Sequence, residues 1–311
     1  MKEVSRGLLR VNFSGIEFET PFLPASGTFG YGAEPGNFKA VQCFGGLVTK
    51  GLSYKKREGN PPPRIKETPC GLINSIGLEN PGIEEFIESI LPEMISFCKP
   101  IIVNLAGHDE REFLLMIERL NPFKEIVAYE INISCPNVSK GGLEFFKDKK
   151  VLKSLLRKIG EVSERVNIVK IPPDIFNYEE LVDLLLSEGF KNITVANTYP
   201  AMVLDIENLD FYFDRKSGGL SGPAIFPLTL RLVYEIARKY KEINIIASGG
   251  VVSYVEAIQY FLVGAKLIEI GSGNFIDPNI VCKIKADLEN YLFSKGFSSI
   301  SEVIGRLLKF Q

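Results

Sequence analysis

Eight short apolar runs, rich in β-branched residues, recur along the chain with longer amphipathic stretches between most of them. They lie at residues 22–25, 46–49, 101–105, 129–132, 168–171, 193–196, 243–247 and 267–270. The amphipathic stretches include residues 82–97, 109–120, 151–166 and 178–188. A strand that is apolar on both faces belongs in a parallel sheet covered by helices. Eight strand–helix units in 311 residues predict a closed (β/α)8 barrel of the TIM type. An open doubly wound sheet should carry Gly-x-Gly-x-x-Gly after its first strand, and the sequence has neither that motif nor a Walker P-loop.

Hydrophobic residues make up 45% of the chain, enough for one large core. There is no internal repeat or linker, so residues 1–311 read as a single domain. Residues 8–18 read as a β-hairpin turning at Ser14-Gly15, placed to plug the N-terminal mouth of the barrel. Residues 54–78, with Pro61-Pro62-Pro63, and residues 199–223 read as extended irregular loops at the C-terminal face.

Composition excludes several classes. A net charge of −2 gives no basis for a nucleic-acid partner. No apolar run approaches a membrane span, and the first residues lack a signal-peptide core, which predicts a cytoplasmic protein. The five cysteines are scattered and odd in number, arguing against a disulfide framework, a metal site or a self-contained iron–sulfur cluster. The single histidine, His108, lies in a polar stretch that reads as a surface helix start, so proton abstraction should fall to another group.

Barrel enzymes place their chemistry at the C-terminal strand ends. Those ends hold Ser26, Lys50-Gly51, Asn104, residues 132–137, Lys170, Asn197-Thr198, Ser248-Gly249-Gly250 and Gly271-Ser272-Gly273. Glycines after strands seven and eight suit a phosphate, which backbone N–H groups can approach closely; tight turns are the plainer alternative. Lys170 interrupts an apolar strand. A lysine there needs an anion beside it, unless it reaches solvent past the rim, and Lys50 poses the same choice. Asn74, Asn132, Asn137, Asn197 and Thr198 offer paired donors and acceptors that suit a flat, amide-rich ligand such as a pyrimidinedione. Cys135 sits beyond a strand, between asparagines and before Pro136. With no suitable histidine, its thiol is the candidate base.

These residues resemble the class 1 dihydroorotate dehydrogenases. The resemblance is carried by residues 25–32 (ASGTFGYG), 48–51 (VTKG), 57–64 (REGNPPPR), 74–78 (NSIGL), 132–137 (NISCPN), 218–223 (GGLSGP) and 247–251 (ASGGV). It implies an FMN-binding barrel that oxidises (S)-dihydroorotate to orotate in pyrimidine synthesis. FMN would be held by Ser26, Lys50, Gly51, Asn104, Asn132, Lys170, Ala196, Gly222, Gly249, Gly250, Gly271 and Ser272. Substrate would be framed by Lys50, Asn74, Ser75, Ile76, Gly77, Leu78, Asn132, Asn137, Asn197 and Thr198. Cys135 would take the proton from ring carbon C5 while hydride passes from C6 to flavin N5. Lys170 would balance the negative charge developing near flavin N1. No metal is implied.

Within the family, residues 29–32, the triple proline and residues 219–223 are similar to the NAD-linked class 1B form. That form implies a homodimer core joined to a subunit carrying FAD and an iron–sulfur cluster, as a heterotetramer. Residues 170–173 are closer to the fumarate-using class 1A homodimers, and residues 198–200 and 106–108 also depart from the 1B pattern. Further alternatives are a flavin-dependent dihydropyrimidine dehydrogenase, a Schiff-base aldolase or lyase using Lys50 or Lys170, and a non-catalytic binding barrel.

Overall fold

The structure is a computed structural model that describes residues 7–32, 38–133, 148–173 and 177–309. Cys135 and Asn137 lie outside the described residues.

A hairpin of β1 (Val11–Phe13) and β2 (Ile16–Phe18) precedes two barrel strands, β3 (Phe22–Pro24) and β4 (Leu47–Val48). A second hairpin, β5 (Ile65–Thr68) and β6 (Gly71–Asn74), then leaves the barrel. Four more barrel strands follow: β7 (Ile101–Leu105), β8 (Ile126–Asn132), β9 (Val166–Lys170) and β10 (Asn192–Val195). The chain departs again through β11 (Tyr199–Ala201), β12 (Leu204–Asp205), β13 (Asp210–Phe211) and β14 (Gly218–Ser221). It returns as β15 (Asn244–Ser248) and β16 (Ala265–Ile270).

The large sheet has eight strands in the order β3-β16-β15-β10-β9-β8-β7-β4, all parallel where paired. Its two end strands meet where Gly45 N–H donates to the Phe22 carbonyl at 2.8 Å, which closes the ring. Each of the eight apolar runs contributes one of these strands. Burial on both faces explains their composition: every residue of Ile101–Leu105 is buried, as is every residue of Asn192–Val195.

The helices follow from their caps and apolar faces. Asp109 accepts from Glu112 N–H to start Glu110–Leu120, which buries Phe113, Met116, Ile117 and Leu120. Asp148 accepts from the N–H groups of Lys150 and Val151 to start Lys149–Val162, which buries Leu152, Leu155, Leu156 and Ile159. The expected 151–166 helix is thus shifted: the cap sets an earlier start, Ser163 is extended, and Val166 already belongs to β9. Ser253 and Glu256 form a capping box on Tyr254–Leu262.

The first hairpin sits at the N-terminal mouth. Ser14 Oγ donates to Asn192 and accepts from Asn244, the first residues of β10 and β15.

Two expectations are corrected. Residues 54–78 and 199–223 are extended loops but not wholly irregular. They supply β5, β6, β11 and β14, which form one antiparallel four-stranded sheet in the order β11-β14-β6-β5. Strands of four residues or fewer, one with exposed Ile65, Lys66 and Glu67, offer little periodicity to read. The cysteines are not all separate either: Cys43 and Cys282 form a disulfide. They are 239 residues apart, and ring closure brings the helices Phe38–Cys43 and Ile280–Ser294 together.

Candidate active site

The C-terminal ends of the barrel strands surround a cavity of about 350 Å³, roofed by the antiparallel sheet. Strand order explains the lining. β3 delivers Ser26, β4 delivers Lys50 and Gly51, β8 delivers Asn132, and β9 delivers Lys170. β10 delivers Ala196, Asn197 and Thr198; β15 delivers Ser248, Gly249 and Gly250; β16 delivers Gly271 and Ser272. From the roof come Asn74, Ile76, Leu78 and Gly222. Residues from opposite ends of the sequence therefore converge as the strand-end reading expects.

Three of the expected residues do not line the cavity. Asn104 is fully buried just beneath it, with Nδ2 donating to Glu130 at 2.5 Å. Its Oδ1 has no hydrogen-bond partner and lies 3.2 Å from where a Cβ on Gly51 would be. Ser75 and Gly77 lie behind the wall. Asn60 Nδ2 donates to the Ser75 carbonyl and hydroxyl, and a Cβ on Gly77 would strike Asn60 at 2.5 Å. His108 also lies away from the cavity, half-buried, its backbone N–H donating to Glu112 at 2.7 Å.

The Arg57–Arg64 segment acts as scaffolding. Arg64 binds the carbonyls of Asn60 and Glu58 and the carboxylate of Glu79, while Arg57 and Asn80 exchange backbone hydrogen bonds. Asn80 in turn donates to the Leu78 carbonyl at 2.7 Å. This bracing holds Leu78 at φ 59°, a left-handed conformation costly for a branched residue, and aims it at the cavity.

The glycine turns form a cradle. Gly250 has φ 73°, and a Cβ there would stand 2.6 Å from Phe226 Cβ and 2.9 Å from Phe226 N. Backbone is thus packed on backbone at the start of the helix Phe226–Lys239, preceded by the short turn Pro223–Ile225. Turns after strands seven and eight beside a short extra helix are where such barrels bind phosphate. The cradle, the cavity volume and the amide-rich rim together fit a flavin mononucleotide.

Under the cavity floor lies a cluster that the sequence reading missed. Lys170 Nζ is 2.7 Å from Glu269 Oε2 and 3.4 Å from Glu130 Oε1, and all three side chains are almost wholly buried. Thr194 Oγ1 donates to Glu130 Oε2 at 2.6 Å. Lys170 therefore does pair with anions, but with two carboxylates of its own chain. Burial would lower its pKa; those carboxylates outweigh that and raise it. Burial would raise Glu130, yet Lys170 and hydrogen bonds from Glu269, Thr194 and Asn104 hold it below the usual range. Glu269 has Lys170 beside it but no such hydrogen bonds from Thr194 or Asn104, and burial with repulsion from Glu130 pushes it up to about 8. The signal was available: Glu130 and Glu269 interrupt apolar strands just as Lys170 does.

Fold and cavity define a (β/α)8 barrel with a glycine cradle and an amide-lined pocket at its C-terminal mouth. A sequence profile of the family described as dihydroorotate dehydrogenase matches residues 8–292. The chain belongs to that family, whose members are flavin-dependent. A relative from Caldicellulosiruptor bescii, named dihydroorotate dehydrogenase B (NAD(+)), catalytic subunit, is 42% identical over 96% of this chain and 99% of its own length. One of the same name from Petrotoga mobilis is 40% identical over 95% and 98%. An Aquifex aeolicus relative named for the A, fumarate-linked form is 38% identical over 96% and 97%. The crystal structure of an Eimeria tenella dihydroorotate dehydrogenase in complex with ferulenol shares the fold, with TM-score 0.78 at 22% identity, covering 96% of this chain and 88% of that one. Among the described residues no helix is long and apolar enough to cross a membrane, and no cluster of three or more His, Cys, Asp or Glu could hold a metal.

Proposed function

We propose that this chain is the catalytic subunit of an NAD-linked dihydroorotate dehydrogenase, oxidising (S)-dihydroorotate to orotate in the cytoplasm. The observation that carries this reading is the convergence, in one cavity, of the strand-seven and strand-eight glycine turns with Lys50, Asn74, Asn132, Asn197 and Thr198. FMN, when bound, supplies the acceptor for the hydride leaving ring carbon C6.

The chain's own residues do the rest. Backbone N–H groups of Gly249, Gly250, Gly271 and Ser272 bind the phosphate, assisted by Gly222. Ser26, Gly51 and Ala196 shape and bind the flavin's ring side, and Asn104 supports Gly51 from beneath. Lys50 holds the substrate carboxylate, and Asn74, Asn132 and Asn197 bind its amide edges. Asn74 Nδ2 is already aligned by the Gly219 carbonyl at 3.1 Å, and Asn197 Oδ1 accepts from Thr198 N–H at 2.8 Å. Ile76 and Leu78 exclude water, while Ser75 and Gly77 support them from behind. Cys135 takes the proton from C5, with Asn137 two residues further on. A Cys135→Ser variant is expected to slow reduction of the flavin by dihydroorotate severely while leaving the flavin bound. Rapid-mixing absorbance checks this, and near-normal reduction would remove Cys135 from the mechanism.

Onward transfer to NAD+ needs a subunit carrying FAD and an iron–sulfur cluster, bound to a homodimer of this chain. The names of the Caldicellulosiruptor and Petrotoga relatives support this. The Aquifex relative's name favours a second reading, a fumarate-using homodimer. The test is native purification, identification of cofactor and co-purifying subunits, and an acceptor screen. NAD+ reduction is expected only with the partner present; efficient fumarate turnover by the isolated chain would select the second reading.

A further inference from the structure

We propose that Glu269 is a proton-carrying positioning residue: with Glu130 it clamps the Lys170 ammonium under the cavity floor and keeps it charged toward the flavin. This inference rests on the flavin reading above.

The hydrogen-bond inventory decides which carboxylate carries the proton. Glu130 Oε1 accepts from Asn104 Nδ2 and from Lys170, and Glu130 Oε2 accepts from Thr194. Both its oxygens are satisfied as an anion. Glu269 Oε2 accepts from Lys170, but its fully buried Oε1 has no donor beside it. An ionised Glu269 would leave that oxygen bare, and two carboxylates against one ammonium would bury a net negative charge. A proton on Glu269 removes both defects, since the acid can donate to Glu130 and the cluster becomes neutral. The raised Glu269 and the lowered Glu130 agree with that assignment.

Among the described residues, the elements packed on Glu269 bring no other titratable group to it. The strands flanking Glu269, Phe22–Pro24 and Asn244–Ser248, carry none, and the outer helix Tyr254–Leu262 spends Glu256 on its own cap and Tyr260 on the Gly249 carbonyl. Lys170 itself borders the cavity, with two of its three N–H groups directed at the carboxylates. The clamp thus fixes where its charge sits, and the proton on Glu269 sets how much of that charge is cancelled. Above the pH at which Glu269 ionises, the cluster turns negative beneath the flavin. Added negative charge on the flavin then draws the proton back, so reduction takes up one extra proton per two electrons.

Two measurements on the holoenzyme test this. Infrared difference spectra should show the carbonyl band of a buried carboxylic acid at neutral pH. It should disappear on titration through about 8 and be absent in Glu269→Gln. This readout does not require catalysis, so it separates failure of the inference from failure of the flavin reading. The midpoint potential of the bound flavin should fall more steeply with pH above about 8, by one proton per two electrons. Glu269→Gln, which mimics the acid, should lose that steepening. Glu130→Gln, which removes the like charge, should move it to lower pH. A wild-type protein without the carbonyl band, or a Glu269→Gln variant that keeps the steepening, overturns the proposal; the wild-type spectra alone decide if the variants fail to fold.

Discussion

The buried cluster of Glu130, Lys170 and Glu269 makes a stability argument at the scale of single residues. Removing the ammonium leaves the Glu130 carboxylate buried beside the Glu269 acid with no counter-charge. Lys170→Met is therefore expected to destabilise the fold by about 3–5 kcal/mol at neutral pH. Part of that loss should return in acid, as Glu130 takes a proton. Urea unfolding at two pH values measures both. Glu269 has its own pH signature. In the unfolded chain it releases its proton near the ordinary 4.5, in the folded chain only near 8. Its contribution is complete below the ordinary value and is lost as pH rises through about 8. Glu269→Gln should therefore gain stability relative to the parent across that window, and calorimetry at its two ends reads the difference. Lys170 was legible in the sequence because one charge broke an apolar run. Its partners were not found because Glu130 and Glu269 were absorbed into strands counted for their apolar neighbours.

Elements divide by how strongly burial marks them. The eight barrel strands were legible because burial on both faces leaves continuous apolar runs. Helix ends were less so, since Asp148 and Ser163 fix Lys149–Val162 by capping and not by hydrophobic period. The roof sheet was not legible at all, because its strands are short and part-exposed. Its junction with the barrel depends on two glycines in contact. A Cβ on Gly71 would lie 2.0 Å from the Ser221 carbonyl oxygen, and one on Gly222 (φ 107°) would lie 2.5 Å from Gly71 Cα. Gly71→Ala is expected to separate β6 from β14, displacing Asn74, with KM for dihydroorotate rising more than tenfold. On the phosphate side, Gly250→Ala would drive against the start of Phe226–Lys239. It should weaken FMN binding at least tenfold, read by fluorescence titration of the deflavinated protein; unchanged affinity would remove that turn from the phosphate site.

At the scale of the whole molecule, the ring closes where the first and last helices of the barrel meet, and Cys43–Cys282 ties that seam. Scattered, odd-numbered cysteines hid the pair, since only closure of the barrel makes residues so distant in sequence neighbours. A crosslink over so long a loop restricts the unfolded chain strongly, and Cys43→Ser is expected to cost about 2–5 kcal/mol. Thermal unfolding with and without reductant checks this: the parent should lose stability on reduction and the variant should not. The cavity, too, exists only in the closed ring, because β3, β4, β8, β9, β10, β15 and β16 each contribute to its wall. That wall is the basis for assigning the flavin and the dihydropyrimidine to one pocket. Anaerobic addition of dihydroorotate to the natively purified protein tests the assignment most directly. The bound flavin should bleach, with one orotate formed per flavin; a colourless protein, or a flavin left oxidised by dihydroorotate, would contradict it.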